Sequence, residues 1–129
     1  MQYTYKKSER LCSKFIIEKL FNEGKTIYEY PFKAFWIEIE LPENVPVQTV
    51  INVSKKRFKR AVKRNLLKRR MREAFRLNKQ NLYNSIQLQN KQIALMILYN
   101  NNSILDFIHI QDGMIKLFNK IITKIIAPN

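Results

Sequence analysis

The residues best placed to do chemistry in this chain are cations. Residues 54–79 read SKKRFKRAVKRNLLKRRMREAFRLNK, with 13 Lys and Arg against one acid, Glu73. That stretch carries +12 of a formal +14, because the other 11 basic and 9 acidic residues leave only +2. Such a field neutralises a polyanion, either nucleic acid or an anionic membrane surface. Other chemistry is thin. A single histidine, His109, cannot build a paired-His metal motif, and no Ser-His-Asp or Cys-His arrangement can be argued from it. Its place between Ile108 and Ile110 predicts a structural role. Cys12, the only cysteine, reads as a reduced cytosolic thiol. Glu38 and Glu40 share a strand face, where solvent-facing acids are far commoner than metal ligands. Two glycines, Gly24 and Gly113, are too few for a phosphate loop or a dinucleotide fingerprint. Neither a catalytic residue nor a metal site is expected on the protein.

The basic stretch has helical composition, without Gly or Pro. Val62, Leu66, Leu67, Met71, Ala74 and Phe75 recur at three- and four-residue steps and form an apolar side. Asn65, Arg69, Arg72 and Arg76 share the opposite side with Lys68 beside them, and Arg64 lies at the edge. A charged helix face is ordinarily just solvated. Five like-charge i,i+4 pairs argue otherwise: Lys59–Lys63, Arg60–Arg64, Arg64–Lys68, Lys68–Arg72 and Arg72–Arg76. They cost such a helix roughly 1–2.5 kcal/mol at low salt, whereas alternating Glu and Lys would stabilise it.

Other elements must hold that helix in place. Ser13 caps a first helix over Lys14–Glu23 that Gly24 stops, with Ile16, Ile17, Leu20 and Phe21 as its apolar stripe. Residues 31–41 alternate as a strand, and a turn at 42–46 leads to residues 47–53 as its partner strand. Residues 78–91 read as a fraying helix end and polar loop, and 92–98 as a buried strand. A last helix carries Phe107, Ile110, Met114, Leu117, Ile121 and Ile125, with Ser103 as its cap. The order is α-β-β-α-β-α, one α+β domain over residues 1–129. Its β-α-β unit would be right-handed on general grounds.

With 129 residues, 46% hydrophobic and 12% aromatic, the chain has the makeup of one globular domain. No apolar run approaches the roughly 18 residues of a membrane span. Residues 1–10 do not read as a secretory signal, so the expected location is cytoplasmic. Nine of the fifteen aromatics fall in the first 36 residues: Tyr3, Tyr5, Phe15, Phe21, Tyr28, Tyr30, Phe32, Phe35 and Trp36. Each is weighed toward the core, with a platform for unpaired bases as the alternative.

Residues 53–75, VSKKRFKRAVKRNLLKRRMREAF, resemble the signature of the bacterial ribonuclease P protein component. Ser54, Lys55, Lys56, Ala61, Val62, Arg64, Asn65, Lys68, Arg69, Arg72, Glu73 and Phe75 fall on that signature without a gap. Arg10-Leu11 and the span from Phe21 to Gly24 match further family features. Leu66 replaces a common second Arg, Lys59-Arg60 replace Gly-Asn, and Tyr99-Asn100 stand where the family commonly has Arg-Pro.

The resemblance implies a left-handed β-α-β crossover, in place of the right-handed one expected generally. It implies removal of 5′ leaders from precursor tRNA by an RNA–protein complex whose RNA subunit performs the hydrolysis. Mg²⁺ would be bound mainly by that RNA, with no organic cofactor. The RNA-binding positions it implies, together with the charge pattern, are Lys55, Lys56, Arg60, Arg64, Asn65, Lys68, Arg69, Arg72 and Arg76. Phe21 and Phe35 match the aromatics of a leader cleft between first helix and sheet. The partners would be the catalytic ribonuclease P RNA and precursor tRNA, with no membrane and with the protein monomeric in the complex. The alternative is a structural or ribosomal RNA-binding protein without a processing role. A helix-turn-helix DNA binder is disfavoured, because only Asn65 suits base reading along the cationic face. A membrane-surface helix is disfavoured by the lack of Trp and the few bulky apolar residues in the basic stretch.

Overall fold

Ser13 and Gly24 bound the first helix, α1 (Lys14–Glu23), in the computed structural model, which describes residues 4–126. Ser13 Oγ accepts from the Ile16 amide at 3.3 Å, and the Gly24 amide donates to the Leu20 carbonyl at 2.9 Å. Gly24 is needed for closeness, not for a left-handed φ: a Cβ there would run into the Leu20 carbonyl.

The chain then forms β1 (Lys25–Glu29), β2 (Phe32–Glu38), β3 (Val47–Asn52), α2 (Ala61–Leu88), β4 (Ile93–Tyr99) and α3 (Phe107–Ile126). The expected elements occur in the expected order, and β1 is an addition. Only Ile27 of β1 is buried, so its alternation is too weak to read as a strand. It forms by pairing antiparallel with β2 across a turn at Tyr30 and Pro31, whose peptide bond is cis.

The sheet order is β1-β2-β4-β3, with β2–β4 antiparallel and β3–β4 parallel. Residues 47–53 were expected to pair with the preceding strand; instead both strands flank β4. The reason is the IALMILY run, apolar on both faces, which has to occupy the centre of the sheet. The β3-α2-β4 connection is the expected parallel β-α-β unit.

One face of the sheet holds Ile27, Phe32, Ala34, Trp36, Leu95 and Ile97 under α2 and α3. The other face holds Phe35, Ile37, Ala94 and Met96, and α1 covers it only in part. Where α3 crosses the first face, Gly113 lets the helix approach the β1–β2 turn. A Cβ there would lie 2.5 Å from Pro31 Cδ and 2.6 Å from the Tyr30 carbonyl.

Several local expectations are corrected. Residues 54–60 form a turn ahead of α2, so Lys59 is not helical and Arg60 is the N-cap. Three like-charge pairs remain inside the helix, lowering their cost to roughly 0.6–1.5 kcal/mol. Val62, assigned to the apolar side, is 79% exposed, because it lies on the outward side of the helix opposite Met71 and Phe75.

The helix continues to Leu88 where a loop was expected. Its polar sequence hides Lys79, Leu82, Tyr83 and Ile86, all buried at helical spacing. Asn90, at φ 56°, then turns the chain toward β4. Ser103 does not cap α3. Asp106 does, its Oδ1 accepting from the His109 amide at 3.0 Å, and that bond holds its carboxyl below the ordinary Asp range. His109 is exposed beside Asp106 and packs in no core.

The N-terminal aromatics divide unevenly. Phe32 and Trp36 are core, Tyr5 and Phe35 are half-buried, and Phe15, Phe21, Tyr28 and Tyr30 are exposed. Tyr3 lies outside the described residues.

Candidate nucleic-acid interface

The basic stretch divides into a turn and a helix. In the turn, Ser54 Oγ accepts from the Lys56 amide at 3.0 Å, while Lys55 and Lys56 remain exposed. Phe58 is buried, pinning the turn to the core next to Tyr99. Arg57 donates to the Asn100 and Asn102 side chains at 2.7 Å each, so it ties the turn to the loop after β4. Arg64 is committed as well: its Nη1 donates to the Phe58 and Lys59 carbonyls at 2.8 and 2.7 Å. That bond pair seats the turn against the start of α2. Arg60 and Asn65 are exposed, and Lys68 is half-buried.

Further along α2, Arg69, Arg72 and Arg76 come together with two arginines absent from the expected set. A groove of about 560 Å³ is lined by these three with Arg10 and Arg70, and by Tyr5, Leu66, Glu73 and Phe107. Arg70 is held by the Leu105 carbonyl at 2.6 Å, and Arg76 by Glu73 at 2.6 Å. The Arg10 guanidinium lies 5.3 Å from the centre of the Tyr5 ring. Arg69 and Arg72 have no hydrogen bond or ion pair with any described residue, so both remain available to an anion. The groove thus joins unengaged guanidinium groups to aromatic walls, a combination suited to phosphate and base together.

The second region is the partly covered sheet face. Phe21 on α1 and Phe35 on β2 lie with ring centroids 5.5 Å apart and tilted by 57°. Phe21 is 57% exposed and Phe35 half-buried, so the pair forms an open-sided aromatic step and not a core contact. Lys33 Nζ lies 5.3 Å from the Phe35 ring and 5.5 Å from the Tyr28 ring, placing a cation beside the step. Phe21 and Phe35, the two aromatics expected between first helix and sheet, are thus brought into ring contact there.

A family profile for ribonuclease P matches residues 5–122. The chain belongs to the ribonuclease P protein family. The ribonuclease P protein component of Porphyromonas gingivalis is 42% identical over 93 residues, a match spanning 72% of this chain and 66% of the relative. That of Petrotoga mobilis is 27% identical over 92% of this chain and 95% of its own length. Among solved structures, the ribonuclease P protein of Thermotoga maritima superposes with a TM-score of 0.69 at 23% identity, over 86% of this chain and 98% of that one.

The ribonuclease P signature at 53–75 thus spans two structures, a pinned turn and the first half of α2. It omits the part of the interface contributed from elsewhere. Tyr5, Arg10 and Phe107 reach the groove from segments far apart in sequence; the density of early aromatics bears on Tyr5 and the family match on Arg10, and neither places them beside α2.

Glu9 explains how Tyr5 and Arg10 are held. It is buried, as is Lys79 of α2, and the two are paired. Lys79 also donates to the Thr4 carbonyl, and Glu9 accepts from the Tyr83 hydroxyl at 2.6 Å and the Lys6 amide at 2.8 Å. Burial alone would raise the Glu9 carboxyl, but the bonds from Lys79, Tyr83 and Lys6 outweigh it and hold it below the ordinary Glu range. Burial and the Glu9 bond together push the Tyr83 hydroxyl well upward. Lys79 therefore belongs to a structural clamp, so the cations of 54–79 outside the core number 12 against Glu73.

Proposed function

We propose that this chain is the protein subunit of a ribonucleoprotein endoribonuclease that removes the 5′ leader of precursor tRNA. Its partner is the catalytic ribonuclease P RNA, which carries out the phosphodiester hydrolysis, and the protein acts as a monomer in the cytoplasm. The outward side of α2 and the preceding turn face that RNA through Lys55, Lys56, Arg60, Asn65, Lys68, Arg69, Arg72 and Arg76. Arg64 supports them by fixing the turn. Among the described residues no three His, Cys, Asp or Glu side chains converge. The reading gives Mg²⁺ to the RNA, as the family resemblance implies, with cationic side chains substituting for part of the ions needed between two crowded RNAs. No described helix is long and apolar enough to cross a membrane.

The observation that carries the reading is the pairing of family membership over residues 5–122 with two unengaged arginines in an aromatic-walled groove. Leader recognition is assigned to the Phe21–Phe35 step. Precursor and mature tRNA differ at their ends, and an unpaired base stacked on an aromatic ring contributes about 1–3 kcal/mol.

Two measurements test the proposal. With a bacterial ribonuclease P RNA at low Mg²⁺, the protein should stimulate correct 5′ cleavage, and alone it should cleave nothing. Tight RNA binding without stimulation would favour the structural or ribosomal alternative. In the assembled complex, Phe35→Ala should weaken precursor binding about 5- to 150-fold and leave mature tRNA binding nearly unchanged. Equal losses for both substrates would place the leader elsewhere.

A further inference from the structure

The two outer edges of the sheet are treated differently. The edge of β3 is covered by the N-terminal segment, with the Leu11 amide donating to the Thr49 carbonyl at 2.9 Å and Arg10 bridged to Thr49. The outer edge of β1 instead borders a groove of about 710 Å³, whose far wall is α3.

We propose that this groove is a second site for single-stranded RNA, taking the part of a precursor leader that lies beyond the Phe21–Phe35 step. The inference rests on the leader reading above.

Charge and continuity both point to this occupant. Lys116, Lys120 and Lys124 line the groove at four-residue steps, so they share one face of α3 and span about 12 Å along it. Glu29 is the one acid in the lining, and it is occupied by Lys120 at 3.2 Å. Lys120 also donates to the Tyr28 carbonyl at 3.0 Å, so it closes the floor between strand and helix. Lys116 and Lys124 engage no described residue and are open to phosphates. The helix dipole favours a cation in the last turn, which covers Lys124 but not Lys116 near mid-helix. Thr26, Asn119 and Thr123 add hydroxyl and amide groups of the kind that bond ribose and phosphate oxygens.

Tyr28 makes the connection. Its ring is 59% exposed, it lines the groove, and it lies 5.5 Å from the same Lys33 ammonium that flanks Phe35. Thr26, on the groove side, is the cross-strand partner of Phe35. A strand leaving the Phe35 step therefore passes Lys33 and Tyr28 and enters the groove without crossing an uncharged gap. Contacts of this kind read backbone and not sequence, so the site should sense leader length.

The test uses the complex reconstituted with ribonuclease P RNA and precursors bearing leaders of about 4 and about 12 nucleotides. The log K against log salt slope should be steeper for the long leader by roughly 1.4, or about 0.7 for each of two phosphates. Lys116→Ala with Lys124→Ala should abolish that difference and leave the short-leader affinity and the melting temperature unchanged. Lys116→Arg with Lys124→Arg should retain it. An equal loss for both leaders, or a long-leader increment indifferent to both lysines, overturns the groove while leaving the cleft intact. Short-leader precursor bound no tighter than mature tRNA would overturn the cleft reading, and the groove with it.

Discussion

The two halves of α2 handle positive charge in opposite ways. Residues 61–76 hold seven cations against Glu73, and among them Arg69 and Arg72 have no partner within the described chain. Residues 77–88 hold one cation, Lys79, and it is buried against Glu9. One continuous helix thus carries an unneutralised surface and a fully matched interior charge. The difference teaches what each is for. A buried ammonium without a carboxylate would be too costly to keep, so the fold itself supplies its counter-ion. Surface guanidinium groups in water tolerate being unpaired, and their mutual repulsion is relieved only when an external polyanion arrives. The matched half also serves the unmatched one, because the Glu9–Lys79 pair ties down the segment that brings Tyr5 and Arg10 to the groove.

The most damaging way to break this contrast is to unmatch the interior half. Glu9→Gln keeps one acceptor oxygen among the donors Tyr83, Lys6 and Lys79, and leaves the Lys79 charge without its counter-ion. It should cost about 3–5 kcal/mol, read as a fall in the denaturation midpoint. Adding Lys79→Met removes the stranded charge and should recover most of that loss, since buried ion pairs replaced on both sides are often near neutral. A double variant as unstable as the single one would show that packing around Lys79, and not its charge, is what matters.

Acid should probe the same pair without mutation. The folded state holds the Glu9 carboxyl below its ordinary value of 4.5, so its contribution is complete above that pH. The contribution is lost as pH falls from there through the lowered folded value. Stability curves of the native protein and of the Glu9→Gln single variant should therefore converge in that acidic window, as followed by denaturant titration.

A smaller loss is expected at the junction of turn and helix. Arg64→Ala removes two hydrogen bonds to the Phe58 and Lys59 carbonyls. At about 0.5–1.5 kcal/mol per bond, the partly exposed pair should contribute on the order of 1–2 kcal/mol. Arg69→Ala, with no internal bond to lose, should leave the melting temperature unchanged. Equal stability of both variants would remove the distinction between a cation that supports the interface and one that forms it.

The sequence made the first half of α2 legible because its apolar and charged residues each keep helical spacing. The second half was hidden for a physical reason: Leu82, Tyr83 and Ile86 are diluted by Asn, Gln and Ser, and the decisive buried residue is a lysine. β1 was hidden because an edge strand with one buried side chain has almost no pattern of its own. The pairing of Phe21 with Phe35 came from family resemblance alone, and the structure places the two rings in contact. Nothing local could announce the arginine groove, since Arg10 and Phe107 join it only when residues nearly a hundred positions apart are folded together.

The finest test lies within the cationic half and compares cations by their existing commitments. Arg69 and Arg72 are unengaged, whereas Arg76 is already 2.6 Å from Glu73. To bind a phosphate, Arg76 has to share its guanidinium with that carboxylate, and the local net charge offered is lower. Replacing Arg69 or Arg72 with Ala should therefore reduce the salt slope of RNA binding by roughly one unit each. Arg76→Ala should reduce it by clearly less, because the carboxylate left behind was already offsetting it. Glu73→Gln should work in the other direction, removing the one opposing charge of the basic stretch and steepening the slope. The measurement is log K against log salt for the protein and the catalytic RNA across the four variants. A uniform slope change at Arg69, Arg72 and Arg76, with none on Glu73→Gln, would mean that the RNA senses total charge alone and that the internal pairing has no bearing on the interface.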